Sequence, residues 1–254
     1  MKLAASMIIR DEGDRYLTPA IEHLLSFCHE VRIVDDGSPG RDLEWMDRQE
    51  NVFWISNPGP TFFEHEGRAR QQLLEWTLAS KPDYVLSIDA DEFVDNPNLI
   101  TKACAQGAAV YTLQMEEVWR ADQHLHIRVD HAWRPRPCPI LWRAPAATDS
   151  DVWKIPDVQL ACGREPLAVR RTRAVASGAT VLHFGWACEA DRVERAQRYF
   201  EHDGGKFHAD KHLQSILWPD ELVRLTTVQW PAGLANQREE IVERASRGLS
   251  KVAS

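Results

Sequence analysis

The chain holds 254 residues, 44% hydrophobic and 27% charged, with a formal net charge of −8 at pH 7. That length suits one large α/β domain, or one with a C-terminal extension, and the acidic balance excludes a general nucleic-acid binder, whose phosphate-facing surface must be basic. No run approaches the roughly 20 apolar residues of a membrane span, and the chain opens on a strand-like run rather than a signal peptide, so cytoplasmic residence is the expectation.

Leu3–Ile9 reads as the first strand. Leu17, Ile21, Leu24, Leu25 and Cys28 then recur at helical spacing, with Pro19 tolerable only in the first turn. Val31–Val34 is a second strand, closed by the turn signal Asp35-Asp36-Gly37-Ser38-Pro39-Gly40. Val52–Ile55 is a third, and Ala69, Leu73, Trp76 and Ser80 mark one face of the helix that follows. Tyr84–Ile88 is a fourth strand and Val110–Met115 a fifth, after a short helix near residues 97–105. Strands alternating with helices predict a parallel, doubly wound sheet, in which ligands bind beyond the carboxyl ends of the strands.

Residues 119–165 change character. Trp133-Arg134-Pro135-Arg136-Pro137-Cys138-Pro139 cannot be helical, and its prolines fit edge or loop positions. Short strands are expected at Ile140–Arg143 and Thr180–Phe184, and helices at Glu189–Phe200, Asp210–Leu217 and Gln237–Leu249. The five cysteines (Cys28, Cys104, Cys138, Cys162, Cys188) form no C-x-x-C pair, so neither a zinc ribbon nor a disulfide framework is indicated.

The chemistry concentrates where Tyr84-Val85-Leu86-Ser87-Ile88 ends in Asp89-Ala90-Asp91-Glu92. Carboxylates crowded at a sheet rim repel one another unless a cation sits among them. A hard divalent ion prefers such oxygen ligands and keeps positions open for substrate phosphates. The plain alternative is a strand ending in a solvated acidic turn.

Three more elements fall on the same rim: Met7-Ile8-Ile9-Arg10-Asp11-Glu12, Val31-Arg32-Ile33-Val34-Asp35-Asp36-Gly37-Ser38 and Glu66-Gly67-Arg68-Ala69-Arg70. In this order and spacing the four resemble the GT-A glycosyltransferases, particularly the large family 2 group, over roughly residues 3–115. The resemblance implies an α/β fold of the GT-A type, a mostly parallel, Rossmann-like sheet flanked by helices. Residues 1–118 would form its nucleotide-sugar-binding half, 119–188 the acceptor-binding half of the same domain, and 189–254 a helical C-terminal extension. It implies that Ile9, Arg10, Glu12, Asp35, Asp36, Arg68, Arg70, Asp89 and Ala90 meet a nucleotide-sugar, with a UDP-sugar the preferred donor. Asp91 would coordinate Mn²⁺ or Mg²⁺, and Asp89 would touch the ribose or the ion's water shell. His183, ending a late strand in Val181-Leu182-His183-Phe184-Gly185-Trp186, would complete the metal site, and Gly204-Gly205-Lys206-Phe207-His208 would close over the diphosphate.

An inverting transferase needs a carboxylate to deprotonate the acceptor hydroxyl. The family's Glu-Asp or His-Glu dipeptides are absent from 119–175, which leaves Asp157, Glu165 and Glu117 as candidates and the stereochemistry open. Trp119, Trp133 and Trp142 lie where family members build an acceptor site, for a glycan, lipid or protein, by stacking indoles on sugar faces. Two other readings stand beside this one. A sugar-1-phosphate nucleotidyltransferase would open with a Gly-rich loop and a nearby Lys, and residues 8–16 hold only Gly13 and no Lys. A catalytically inactive carbohydrate-binding protein would keep the tryptophans and a vestigial acidic rim.

Overall fold

The computed structural model describes residues 1–10, 12, 15–38, 43–59, 62–130, 133–145, 151–157, 163–202 and 214–246. Among them ten strands and six α-helices run in the order β1 (Leu3–Ile9), α1 (Leu17–Leu25), β2 (Glu30–Asp35), β3 (Val52–Ser56), α2 (Phe62–Leu78), β4 (Tyr84–Ser87), β5 (Glu92–Val94), α3 (Pro97–Gln106), β6 (Val110–Ala121), β7 (Leu125–Arg128), β8 (Arg136–Arg143), α4 (Leu167–Arg171), β9 (Val175–His183), α5 (Glu189–His202), β10 (Leu225–Val228) and α6 (Arg238–Ser246). Contacts divide the chain into two compact units. The first comprises Met1–Ala90, Pro97–Leu113 and Pro137–Ala179, and the second Asp91–Asn96, Gln114–Arg136 and Thr180–Ser254.

In the first unit β3, β2, β1 and β4 lie side by side, all parallel. β8 pairs antiparallel with β4 through Leu141–Arg143. Every residue of β1 is buried, as a strand packed on both faces requires, and its sequence is accordingly apolar throughout rather than alternating. α1 buries Leu17, Ala20, Ile21 and Leu24, one face at helical period, and Pro19 sits in its first turn. A second core gathers Leu74, Val85, Val110, Trp142, Ile155 and Val169.

In the second unit β5 pairs antiparallel with β9, setting Glu92 opposite His183. β7 pairs antiparallel with β6 and with β10, and a bulge interrupts the β6 ladder between Val118 and Arg120. Trp119, Trp133, Trp186, Ala196 and Ile216 form the core. The fully buried Arg128 threads this cluster. Its guanidinium lies 4.4 Å from the Trp119 ring centre and 4.7 Å from that of Trp133, donates to both Asp130 oxygens at 2.7 and 3.1 Å, and reaches the Ser215 carbonyl at 2.8 Å. A buried charge is tolerable when its donors are satisfied in this way.

Several boundaries differ from the sequence reading. β6 runs to Ala121 rather than stopping at Met115, and β9 begins at Val175 rather than Thr180. β8 starts at Arg136 and contains Pro137 and Pro139, which were assigned to edge or loop. The ladder to β4 begins only at Leu141, so neither proline has to donate to it. β5, β7 and β10 are too short to carry a period. The described part of the helix expected at Asp210–Leu217 is a 3-10 turn, Ser215–Leu217, and residues 210–213 lie outside the described residues. So do 247–249, Cys162 and the loop Gly204–His208.

Candidate active site

In the first unit the rim is built from strand ends. Asp35 closes β2, and its carboxylate accepts from the Ser38 N–H at 3.1 Å, the Ser38 hydroxyl and the Ser56 hydroxyl at 2.8 Å. Asp36, also buried, donates its N–H to Ile9 at 2.9 Å and accepts from the Asn57 amide at 3.3 Å. Ile9 is the β1 partner of Asp35, so the parallel ladder itself brings the ends of β1 and β2 together. Glu12 pairs with Arg15 at 3.4 Å, and Arg10 is half-buried just past β1.

Asp89 follows β4 between two guanidinium groups, Arg70 at 3.7 Å and Arg164 at 3.4 Å, and Ala90 behind it is buried. Arg70 is itself held by Glu66 at 2.8 Å, one helical turn back. Arg68 faces the other way, to Asp157 at 2.8 Å, where His65 also approaches at 3.5 Å. α2 breaks at His65 (φ −142°, ψ 54°). Two residues on, Gly67 lets residues 156–157 lie against the helix: a Cβ there would stand 2.1 Å from the Pro156 carbonyl oxygen and 2.5 Å from the Asp157 Cα. Glu165 is paired with Arg170 at 3.1 Å.

The second unit holds a tighter constellation. Asp91 stands at the start of β5, and its carbonyl accepts the Phe184 N–H at 2.7 Å, which ties it to the end of β9. His183 places Nδ1 at 2.5 Å from Glu117 and Nε2 at 3.5 Å from Asp91 Oδ2. Glu117 is buried and also accepts from Trp186 Nε1 at 3.0 Å and pairs with Arg136 at 2.7 Å. Arg195 of α5 donates to Asp91 Oδ2 and lies 5.1 Å from the Trp186 ring centre. Gly185 completes the arrangement. A Cβ on it would stand 2.6 Å from His183 Nε2, 2.7 Å from Asp91 Oδ2 and 2.8 Å from the Arg195 guanidinium.

Burial opposes a charge on His183, yet Glu117 and Asp91 push its pKa up to about 10. Burial likewise opposes a charge on Glu117, yet His183 and Arg136 hold its pKa down to about 2. Glu117 is therefore a weak proton acceptor whose anion is committed to its partners. That role differs from the candidate base expected from the sequence. The carboxylate of Glu117 instead fixes the imidazole ring, turning Nε2 towards Asp91.

The donors suit a divalent cation in type. Asp91 offers a carboxylate oxygen, whereas His183, held protonated by Glu117 and Asp91, would have to give up its Nε2 proton before that nitrogen could bind a cation. Both face the spot that Gly185 leaves without a side chain. Among the described residues no group of three or more His, Cys, Asp or Glu side chains could hold a metal ion.

Trp119 and Trp133 are buried in the second unit's core and Trp142 in the first unit's, where each is committed to packing. Arg164, Gly185 and Arg195 escaped the sequence reading. Arg195 lies beside the buried Ala196 on an amphipathic helix. No described helix is long and apolar enough to cross a membrane.

No protein-family model matches the chain, and no curated protein sequence matches it. Solved structures do. Residues 1–349 of S. aureus TarS share 16% identity at a TM-score of 0.53, over 85% of this chain and 69% of that one. The same protein in complex with UDP gives 17% and 0.51, over 85% and 70%. A further TarS structure gives 15% and 0.50, over 85% of this chain and 42% of that one, so the chain spans less than half of it. Likeness at this identity is likeness of fold, and the α/β fold of this chain is the GT-A fold.

Proposed function

We propose that the chain is a metal-dependent glycosyltransferase that moves a sugar from a nucleotide-diphosphate donor to an acceptor hydroxyl. The observation that carries this reading is the Asp91–His183 pair, oriented by Glu117 and opened by Gly185. The fold is one that holds UDP in S. aureus TarS, and a UDP-sugar is the donor we favour. The site's Mn²⁺ or Mg²⁺ would bridge the diphosphate and stabilise charge on the departing nucleotide.

The chain's own residues have separable tasks on this reading. Asp35 and Asp36, fixed by Ser38, Ser56 and Asn57, would accept from base or ribose hydroxyls. Arg70 and Arg164, now on Asp89, are cations of the kind a diphosphate seeks, since a guanidinium bonds two oxygens at once. With Glu117 committed to His183, the acceptor's base would be Asp157 or Glu165. The buried Trp119, Trp133 and Trp142 offer no open indole face to a glycan.

A thermal-shift panel of UDP-, GDP-, TDP- and CMP-linked sugars, each with and without Mn²⁺, tests the reading. A ligand at 100 times its Kd adds about 2.7 kcal/mol of stability, so one donor should raise Tm only when Mn²⁺ is present. No shift with any donor would end the proposal.

A further inference from the structure

We infer that the segment around α4 docks the chain onto an anionic lipid surface; resting on the glycosyltransferase reading, the acceptor is then one carried by that surface. The charge of the chain is unevenly spread. Its net value is −8, yet residues 163–175 hold Arg164, Arg170, Arg171 and Arg173 against the single acid Glu165. Arg164 lies against Asp89 at 3.4 Å and Arg170 against Glu165 at 3.1 Å, so each has an acid beside it. Arg171 and Arg173 are exposed and meet no acidic partner among the described residues.

The backbone that carries these cations is fixed. α4 buries Val169 in the core with Leu74 and Trp142, and the Leu167 N–H donates to the Lys154 carbonyl at 3.0 Å. The Thr172 hydroxyl donates to the Ala168 carbonyl at 2.8 Å. Two residues after Arg173, Val175 opens β9 and is 46% exposed, and Ala176 beside it is exposed as well. Arginines next to an exposed branched apolar residue suit a bilayer interface, where guanidinium groups meet headgroup phosphates and the valine meets the acyl boundary. A soluble polyanion gains nothing from that valine. An anionic surface repels the acidic remainder of the chain, so the molecule lands on this face. Arg164 touches Asp89 at the candidate rim, and the seven residues from there to Arg171 span at most about 25 Å. A bilayer met by Arg171 therefore brings a lipid-borne hydroxyl within reach of the donor site.

Cosedimentation of the full chain with lipid vesicles tests the docking in the absence of donor and acceptor. The parent should partition onto vesicles of mixed phosphatidylcholine and phosphatidylglycerol about thirtyfold more strongly than onto phosphatidylcholine alone, the effect of two arginines at an anionic surface. The excess should fall steeply with added salt. Arg171→Gln/Arg173→Gln should abolish it. Arg48→Gln/Lys102→Gln removes the same charge from exposed positions elsewhere in the first unit and should leave it intact. Equal partition onto the two kinds of vesicle would overturn the inference, as would an excess that survives Arg171→Gln/Arg173→Gln. Capture of the chain by soluble polyphosphate, with no partition onto vesicles, would overturn it in favour of a soluble polyanion. None of these outcomes touches the donor site, which the thermal shift with nucleotide-sugars tests by itself.

Discussion

At the scale of single residues, Glu117 is the buried carboxylate that gathers its neighbours in the second unit. Glu117 accepts from His183, Trp186 and Arg136 together. Removing its charge should leave His183 free to turn and to change tautomer. Glu117→Gln should therefore weaken Mn²⁺ binding by about 10- to 100-fold, the usual effect of losing a carboxylate behind a metal-bound imidazole. Isothermal titration would show it, with circular dichroism confirming that the fold survives. Asp91→Asn should go further and abolish metal-dependent nucleotide binding in the same titration, and unchanged binding would remove Asp91 from the site. The sequence pointed to Asp91 and His183 because Asp91 follows the legible run of β4 and His183 ends that of β9. It offered Glu117 as a candidate base without revealing its bond to His183, because an acid on a strand looks alike whether it faces solvent or a buried histidine. Arg195 was beyond its reach, since nothing local marks which arginine of a helix lies against a carboxylate 104 residues away.

At the scale of elements, α2 shows how a helix is bent to the needs of its neighbours. A glycine inside a helix costs about 1 kcal/mol relative to alanine, so Gly67 is unfavourable for α2 in isolation. The close approach of Pro156 and Asp157 makes it necessary. Gly67→Ala should thus destabilise, against its local propensity, by about 1–3 kcal/mol, read as a lower Tm in thermal denaturation. A rise in Tm would show that residues 156–157 do not pack there. The sequence reading located α2 correctly by its apolar face and could not see the kink at His65, which no proline or glycine at that position announces. It was strongest for β1 to β4, whose runs are apolar and closed by turn residues. It was weakest for β5, β7 and β10, three or four residues each, where pairing with partner strands decides the structure.

At the scale of the whole molecule, acid stability has a specific anchor in the first unit. Glu30 is buried at the start of β2, with Lys2 at 2.9 Å, Arg32 at 3.2 Å and the Ser80 hydroxyl donating to it. Burial alone would raise its pKa, but Ser80, Lys2 and Arg32 outweigh burial and lower it. A carboxyl lowered in the folded state stabilises above its unfolded pKa of about 4.3 and loses that contribution as pH falls through the folded value. Glu30→Gln should lower Tm at pH 7, by roughly 1–3 kcal/mol in stability for a charged hydrogen-bonded group. It should also flatten the decline below pH 5. A parallel shift at every pH would point to lost packing instead.

The indole cluster around Arg128 has a spectroscopic consequence. Trp119 and Trp133 meet edge to face with centres 5.7 Å apart, and Trp133 and Trp186 do so at 5.2 Å. Chromophores that close and that rigidly held couple their transitions, so the second unit carries an optical signature in the near-ultraviolet. The indoles of Trp142 and Trp153 report separately on the first unit. Replacing Trp133 by phenylalanine would erase the coupled band and so identify it, and in the parent chain the melting of the two units could be followed in one cuvette, each by its own light.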